Sequence, residues 1–260
     1  MLKKLMKYEL MATGRVFLPL FAALLVLSGV NKLLSLLPVE APQVIGTIVS
    51  VILIVGIMVL TFVITLQRFR SNLLSGEGYL MMTLPVRTDA LILSKMFTAA
   101  IWSLASVIIV TVSSLIMSMS AVNYRDLIDF FRMVGYYITA PAAEIAVYVV
   151  EGILLFALSM FSGILTLYAC MGLSMLVNKR RGLFTFGAFI VISTVLQTLF
   201  SIGVTLTAML SISLGLDLSN FSLFGQIQII AGAAIIIEAG LCAVFYFTTR
   251  HMLKNRLNLQ

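Results

Sequence analysis

Histidine and cysteine are almost absent from the sequence. Its 260 residues contain one histidine, His251, and two cysteines, Cys170 and Cys242, which both lie within apolar runs. A zinc site needs several convergent nitrogen, sulfur or carboxylate ligands, and a Ser/His/Asp or Cys/His centre cannot be assembled around one terminal histidine. We therefore expect no metal, no cofactor, no disulfide and no catalytic residues, and we predict that the chain is not an enzyme.

Charged residues are also scarce. They make up 10% of the sequence, whereas 61% of the residues are hydrophobic and the mean hydropathy is +1.13. A soluble domain does not need so much apolar surface, and runs of about twenty apolar residues recur along the whole length. The sequence predicts an all-α, polytopic membrane protein that forms a single domain over residues 1–260.

Six apolar segments are long enough to cross a bilayer, and the alternating pattern of barrel strands is absent. We predict six transmembrane helices, at about 16–37, 42–66, 96–120, 142–177, 183–214 and 225–249. The fifth run contains Gln197, Gly203 and many Ser and Thr residues. We interpret about 205–224 as a broken or re-entrant outer segment, which is tolerated only where protein covers it.

The distribution of Lys and Arg predicts the orientation. With the N-terminus inside, fourteen basic residues fall in cytoplasmic segments and three (Lys32, Arg125 and Arg132) fall outside. Under the positive-inside rule both termini are cytoplasmic. The net charge of +7 then reflects topology and anionic lipid headgroups, and no nucleic-acid partner is needed.

Residues 1–15 carry an amphipathic pattern. Leu2, Leu5, Met6 and Leu10 fall on one helical face, while nearby lysines can reach lipid phosphates. We favour an in-plane interfacial helix, and the alternative is a basic flank that only sets the orientation.

The outer loop, residues 121–143, has its own charge pattern. Arg125, Asp126, Asp129 and Arg132 are spaced so that opposite charges share one helical side. This spacing predicts a short helix lying on the membrane surface.

Two acidic residues occur within the predicted spans. Glu238 lies near the middle of the sixth span, where a carboxylate is costly unless it faces protein or a wet cavity. It is either a substrate-cavity or gating residue, or a structural carboxyl hydrogen-bonded to a Ser or Thr of a neighbouring span. Glu151, on the same face as Glu144, is either a second functional residue or a residue at the membrane interface.

No phosphate-binding loop is present, because none of the seven lysines follows a glycine. Any ATP must be bound by another chain. The longest polar interruption on the cytoplasmic side, residues 67–95, is a candidate docking surface for such a chain. After the turn at S-G-E-G, the sequence Y-L-M-M-T-L predicts a short amphipathic helix that ends at Pro85. It either inserts into a partner's groove or lies on the bilayer.

The same residues resemble a known family. The run E-G-Y-L-M-M-T-L-P-V-R-T-D-A-L-I-L-S-K resembles the cytoplasmic loop of the type-2 family of ABC exporter permeases, and most closely small permeases of Gram-positive bacteria. The segments K-K-L-M-K-Y-E-L and T-R-H-M-L-K-N-R-L-N-L are similar to the terminal segments of that family, so the likeness covers essentially the whole chain.

The resemblance implies a mechanism. Two permease subunits, identical or different, would pair with two ATPase subunits, and the loop would supply a coupling helix. The implied ATPase contacts are Glu77, Tyr79, Leu80, Thr83, Leu84 and Pro85. Residues 1–15 would form the in-plane connecting helix, and closure of the ATPase dimer would open the permease pathway outward.

The sequence is therefore expected to encode the permease subunit of an ABC exporter in the bacterial plasma membrane. Its cargo would be an amphiphilic peptide, antibiotic or lipid. Two alternatives are a stand-alone immunity protein that binds an antimicrobial peptide, and the substrate-binding subunit of a vitamin importer. The scarcity of polar residues within the spans disfavours the importer.

Overall fold

The structure is a computed structural model that contains six long helices. The described residues are 2–35, 40–71, 88–118, 128–129, 132–133, 135, 141–177, 181–213 and 223–255. The helices are α1 (Leu2–Leu34), α2 (Glu40–Phe69), α3 (Thr88–Ser118), α4 (Ala142–Ser174), α5 (Arg181–Ser213) and α6 (Leu223–Asn255). Strands are absent from these residues.

All six helices are long and apolar enough to cross a membrane. They contain 30 to 33 residues each. At about 1.5 Å per residue they are roughly 45–50 Å long, which exceeds the hydrocarbon core of about 30 Å. The predicted number and type of spans are confirmed, and the chain is a multi-pass membrane protein by these criteria.

Local sequence accounts for two of the helix starts. α3 begins at Thr88 and has Asp89 in its first turn, so its polar beginning is helical well before the predicted span at residue 96. Pro141 occupies the N-cap position of α4, and Glu144 lies in the first turn. A carboxylate at either position interacts favourably with the positive end of the helix dipole.

The N-terminal segment is continuous with the first span. α1 runs from Leu2 to Leu34 and includes Pro19. The helix therefore does not end between residues 1–15 and the apolar run that follows. The in-plane position of the segment stays a prediction.

α5 is also continuous. It extends to Ser213, so the first part of the predicted re-entrant segment at about 205–224 continues the fifth helix. Residues 214–222 lie outside the described part of the chain.

The helices form two compact units, one containing α1–α3 and the other α4–α6. In the first unit, α1 packs chiefly on α3. Glu9 pairs with Lys95, and further along both helices Phe17 stacks on Trp102 with 4.8 Å between ring centroids. Since later residues of α1 contact later residues of α3, these two helices run parallel.

α2 runs antiparallel to its neighbours. Asn31, near the end of α1, donates a hydrogen bond to Thr47, near the start of α2. The hydroxyls of Thr61 and Ser106 form a buried hydrogen bond between α2 and α3. One apolar cluster in the core of this unit contains Phe17, Phe21, Leu24 and Ile57.

In the second unit, as in the first, the first and third helices run parallel. α4 packs chiefly on α6 and also contacts α5. Tyr148 meets Phe224 near the starts of α4 and α6, and Gly172 faces Met252 near their ends. α4 and α6 are therefore parallel. The buried apolar residues of the second unit include Ile164, Leu165, Tyr168, Ala169, Cys170, Met171, Phe245 and Leu253.

Burial is distributed as expected for a protein surrounded by lipid. Ser and Thr side chains are buried between helices, whereas large aliphatic side chains such as Ile236 and Leu183 are exposed. Many of these hydroxyls donate to the backbone carbonyl four residues earlier, as Ser28 does to Leu24. Their polar groups are therefore satisfied without water.

Candidate functional site

The predicted coupling residues lie between α2 and α3, outside the described residues. They are Glu77, Tyr79, Leu80, Thr83, Leu84 and Pro85. Their role stays a prediction, and the described geometry begins at the two flanking helices.

A buried ion pair joins α1 to α3 close to this segment. The ammonium group of Lys95 donates a hydrogen bond to Oε1 of Glu9. Their side chains are only 3% and 12% exposed, respectively. Each residue is the eighth of its helix. The pair therefore fixes the third turn of α1 against the third turn of α3.

The buried surroundings of the Glu9–Lys95 pair raise the free-energy cost of separating its two charges. Ser94 and Thr98 next to it on α3 are buried, as is Thr13 on α1, whose hydroxyl donates to the carbonyl oxygen of Glu9 at 2.7 Å. A buried charge that loses its partner is strongly destabilising, because the remaining ion is neither solvated nor neutralised.

α2 also reaches this end of the unit. Because α2 runs antiparallel to α1, Arg68 in the last turn of α2 lies at the same end of the unit as Glu9. The starts of α1 and α3 and the end of α2 therefore lie at the same end of the first unit.

Sequence reasoning missed the Glu9–Lys95 pair. Lys95 was counted only as a basic residue that sets the orientation, and Glu9 was assigned no role. The available signal was a single acid and a single base at equivalent positions of two helices. Their pairing depends on a parallel α1–α3 contact, which hydropathy does not reveal.

Glu238 is paired with a hydroxyl of a neighbouring span. Ser162 Oγ of α4 donates a hydrogen bond of 2.7 Å to Glu238 Oε2 of α6. Ser162 is buried and Glu238 is half-buried. The contact agrees with the structural interpretation of Glu238, in which a Ser or Thr of another helix satisfies the carboxyl group.

Glu151 also contacts α6. Gln228 Nε2 donates a hydrogen bond of 2.9 Å to Glu151 Oε2. Both glutamates thus lie along the α4–α6 contact, each beside a neutral donor, and Glu151 is nearer the start of α4.

The other predicted polar segment is described in part. In the loop after α3, Asp129 and Arg132 form an ion pair of 3.7 Å with largely exposed side chains. Their predicted proximity is confirmed, whereas Arg125 and Asp126 lie outside the described residues. Within the described ranges, no group of three or more His, Cys, Asp or Glu residues could hold a metal ion.

Comparison with known proteins found no matching family model, no matching curated protein and no matching solved structure.

Proposed function

We propose that this chain is the membrane-spanning permease subunit of an ATP-driven exporter whose energy comes from a separate ATPase subunit. It moves an amphiphilic molecule (a peptide, an antibiotic or a lipid) across the bacterial plasma membrane, and both of its termini face the cytoplasm. Six long apolar helices and the likeness of residues 67–95 to a coupling loop support this function.

The Glu9–Lys95 ion pair is the observation that carries the proposal. A coupling segment between α2 and α3 must pass its displacement to the spans. α3 follows that segment directly, and the buried pair ties α1 to it. Because separating buried charges is unfavourable, α1 and α3 move together when the segment is pulled. The amphipathic residues 1–15 then take part in the same movement.

A second permease subunit requires exposed surface on the spans. The apolar span within α5 contains no buried residue, and large side chains such as Leu199 and Phe200 are exposed. This surface is available to lipid or to a second permease, identical or different.

The direct test is co-purification with an ATPase. The tagged full-length chain is co-expressed with a P-loop ATPase subunit from the same organism and isolated in mild detergent. We expect a stable complex whose ATP hydrolysis responds to the permease. Leu80→Asp and Glu77→Lys should abolish or strongly weaken ATPase binding, because both substitutions fall in the predicted coupling helix.

Matched controls lie in the loop predicted to face outward. Leu127→Asp and Asp126→Lys make changes of the same kind, and they should leave the complex intact. If both pairs of variants bind the ATPase equally well, residues 67–95 are not the coupling segment. If the wild-type chain binds no ATPase and still confers resistance to a peptide, the permease proposal is wrong.

A further inference from the structure

A basic pocket lies at the C-terminal end of α6. Its volume is about 420 Å³, and among the described residues it is lined by Phe247, Arg250, His251 and Lys254. The spacing of three, four and seven residues places these side chains on one face of the helix. The pocket therefore combines one aromatic ring with three nitrogen-bearing side chains.

The order of these side chains along the helix matches that of a lipid at a membrane boundary. Phe247 lies toward the apolar part of the span and is 60% exposed. The basic side chains lie beyond it, and Lys254 is the last residue of the candidate membrane span. An aromatic ring suits the glycerol and upper acyl region, whereas the basic groups suit a phosphate.

The charge of the pocket comes from its side chains. No acidic residue follows Glu238 in the sequence, and Arg256 adds a further positive charge just beyond Lys254. The carbonyl end of a helix carries a partial negative charge, so the helix terminus does not attract an anion. Arg250 and Lys254 must therefore provide the attraction, and a guanidinium group can bind a phosphate through two hydrogen bonds.

We infer that this pocket binds the headgroup of an anionic phospholipid, with the phosphate held by Arg250, His251 and Lys254 and the adjoining lipid in contact with Phe247. Inorganic phosphate shares the headgroup chemistry but does not use Phe247. The site is separate from the segment proposed to contact an ATPase, and it does not depend on the proposed function.

The test compares two lipids on the purified full-length chain. Dioleoyl-phosphatidylglycerol and dioleoyl-phosphatidylcholine are titrated into the detergent-solubilised protein, and bound lipid is counted by native mass spectrometry. We expect tighter binding of the anionic lipid. Each basic side chain near a membrane surface changes lipid affinity by about fivefold, so Arg250→Gln with Lys254→Gln should weaken phosphatidylglycerol binding roughly 25-fold. Phosphatidylcholine binding should not change.

A matched control removes the same charge elsewhere. Lys32→Gln with Arg125→Gln deletes two positive charges from the segments predicted to face outward, and it should leave phosphatidylglycerol binding nearly unchanged. Phe247→Ala should weaken phosphatidylglycerol binding without altering net charge. If the double variant fails to fold, Phe247→Ala provides the second test of the pocket.

Three outcomes would overturn the inference. Equal losses in the pocket and control variants would mean that attraction is spread over all basic residues. Displacement of phosphatidylglycerol by an equal concentration of inorganic phosphate would indicate a free-anion site. Unchanged lipid preference in the pocket variant, together with loss of a co-purifying ATPase, would make this face a protein-binding surface.

Discussion

The side chain of Asn31 fills the space that a Cβ atom on residue 46 would occupy. Gly46 of α2 has no side chain, so Asn31 of α1 can lie against the α2 backbone and donate a hydrogen bond of 3.1 Å to Thr47. Asn31 is itself buried. The α1–α2 contact at this end of the unit thus depends on a glycine facing an amide.

Gly46→Ala should destabilise the first unit. The new methyl group must displace Asn31, which costs about 1–3 kcal/mol through overpacking and disturbs the bond to Thr47. Gly56→Ala is the matched control, because it lies in the same helix and a Cβ there meets no atom within 4 Å. Thermal unfolding in detergent should show a lower midpoint for Gly46→Ala alone. Equal midpoints would contradict the packing described for Asn31.

Removing one partner of the Glu9–Lys95 pair should lower the free energy of unfolding far more than removing both. Lys95→Met removes the ammonium group that donates to the Glu9 carboxylate, and the expected loss is about 3–5 kcal/mol. Adding Glu9→Gln should recover most of it, because no buried charge then remains. Unfolding midpoints of the two single variants and the double variant provide the test.

The exposed Asp129–Arg132 pair is the control for this double-mutant cycle. Its side chains are 68% and 79% exposed, so neutralising either residue should leave the midpoint unchanged. If Lys95→Met lowers the unfolding midpoint no more than Arg132→Met does, the Glu9–Lys95 pair does not hold α1 to α3.

Glu238 should behave as a structural partner of Ser162. Ser162→Ala removes the hydroxyl donor, whereas Glu238→Gln keeps an oxygen that can accept its hydrogen bond. A double-mutant cycle with Ser162→Ala and Glu238→Ala should yield a coupling of about 0.6 kcal/mol, the average for hydrogen bonds between membrane helices, and at most about 1.7 kcal/mol. Ser159→Ala is the control, because the Ser159 hydroxyl donates only to a carbonyl of its own helix in the contacts described.

The Glu238→Gln variant separates the two interpretations of this residue. If Glu238 is structural, transport-coupled ATP hydrolysis should be unchanged in that variant. A large loss of coupling with normal thermal stability would instead favour a role in the substrate cavity or in gating.

The orientation inferred from Lys and Arg can be tested by labelling. In a chain carrying Cys170→Ala and Cys242→Ala, a membrane-impermeant maleimide applied to intact cells should label Arg125→Cys and should not label Lys4→Cys. Permeabilised cells should allow labelling of both, and the cysteine-free parent should show none. The reverse pattern would place both termini outside.

Hydropathy alone predicted the spans because each contains a long apolar run. It was less informative about where helices begin. α3 starts at Thr88, and its first two turns contain Asp89 and Ser94, which lower the apolar signal although they are helical. For Glu238, a hydrogen bond from a Ser or Thr of another span was one of the two interpretations that the sequence left open. The identity of the donor, Ser162, depends on how α4 and α6 are rotated and aligned.

Packing partners could not be predicted from the sequence. The Glu9–Lys95 contact and the stacking of Phe17 on Trp102 both require α1 and α3 to lie side by side in the same direction. Sequence neighbours such as α1 and α2 are the simpler expectation for a membrane bundle. The polar segment between α2 and α3 could be recognised from composition, whereas the buried pair beside it could not.

The parallel pairing of first and third helices also sets the order in which each unit can assemble during synthesis. Glu9 and Lys95 are 86 residues apart. At about 5–20 residues per second, the lysine is made roughly 4–17 s after the glutamate. Until then α1 has α2 beside it but lacks its main partner, α3, and the ammonium group of Lys95. The first unit is therefore complete only when α3 enters the membrane. In the second unit, α4 likewise lacks its main packing partner until α6 enters the membrane.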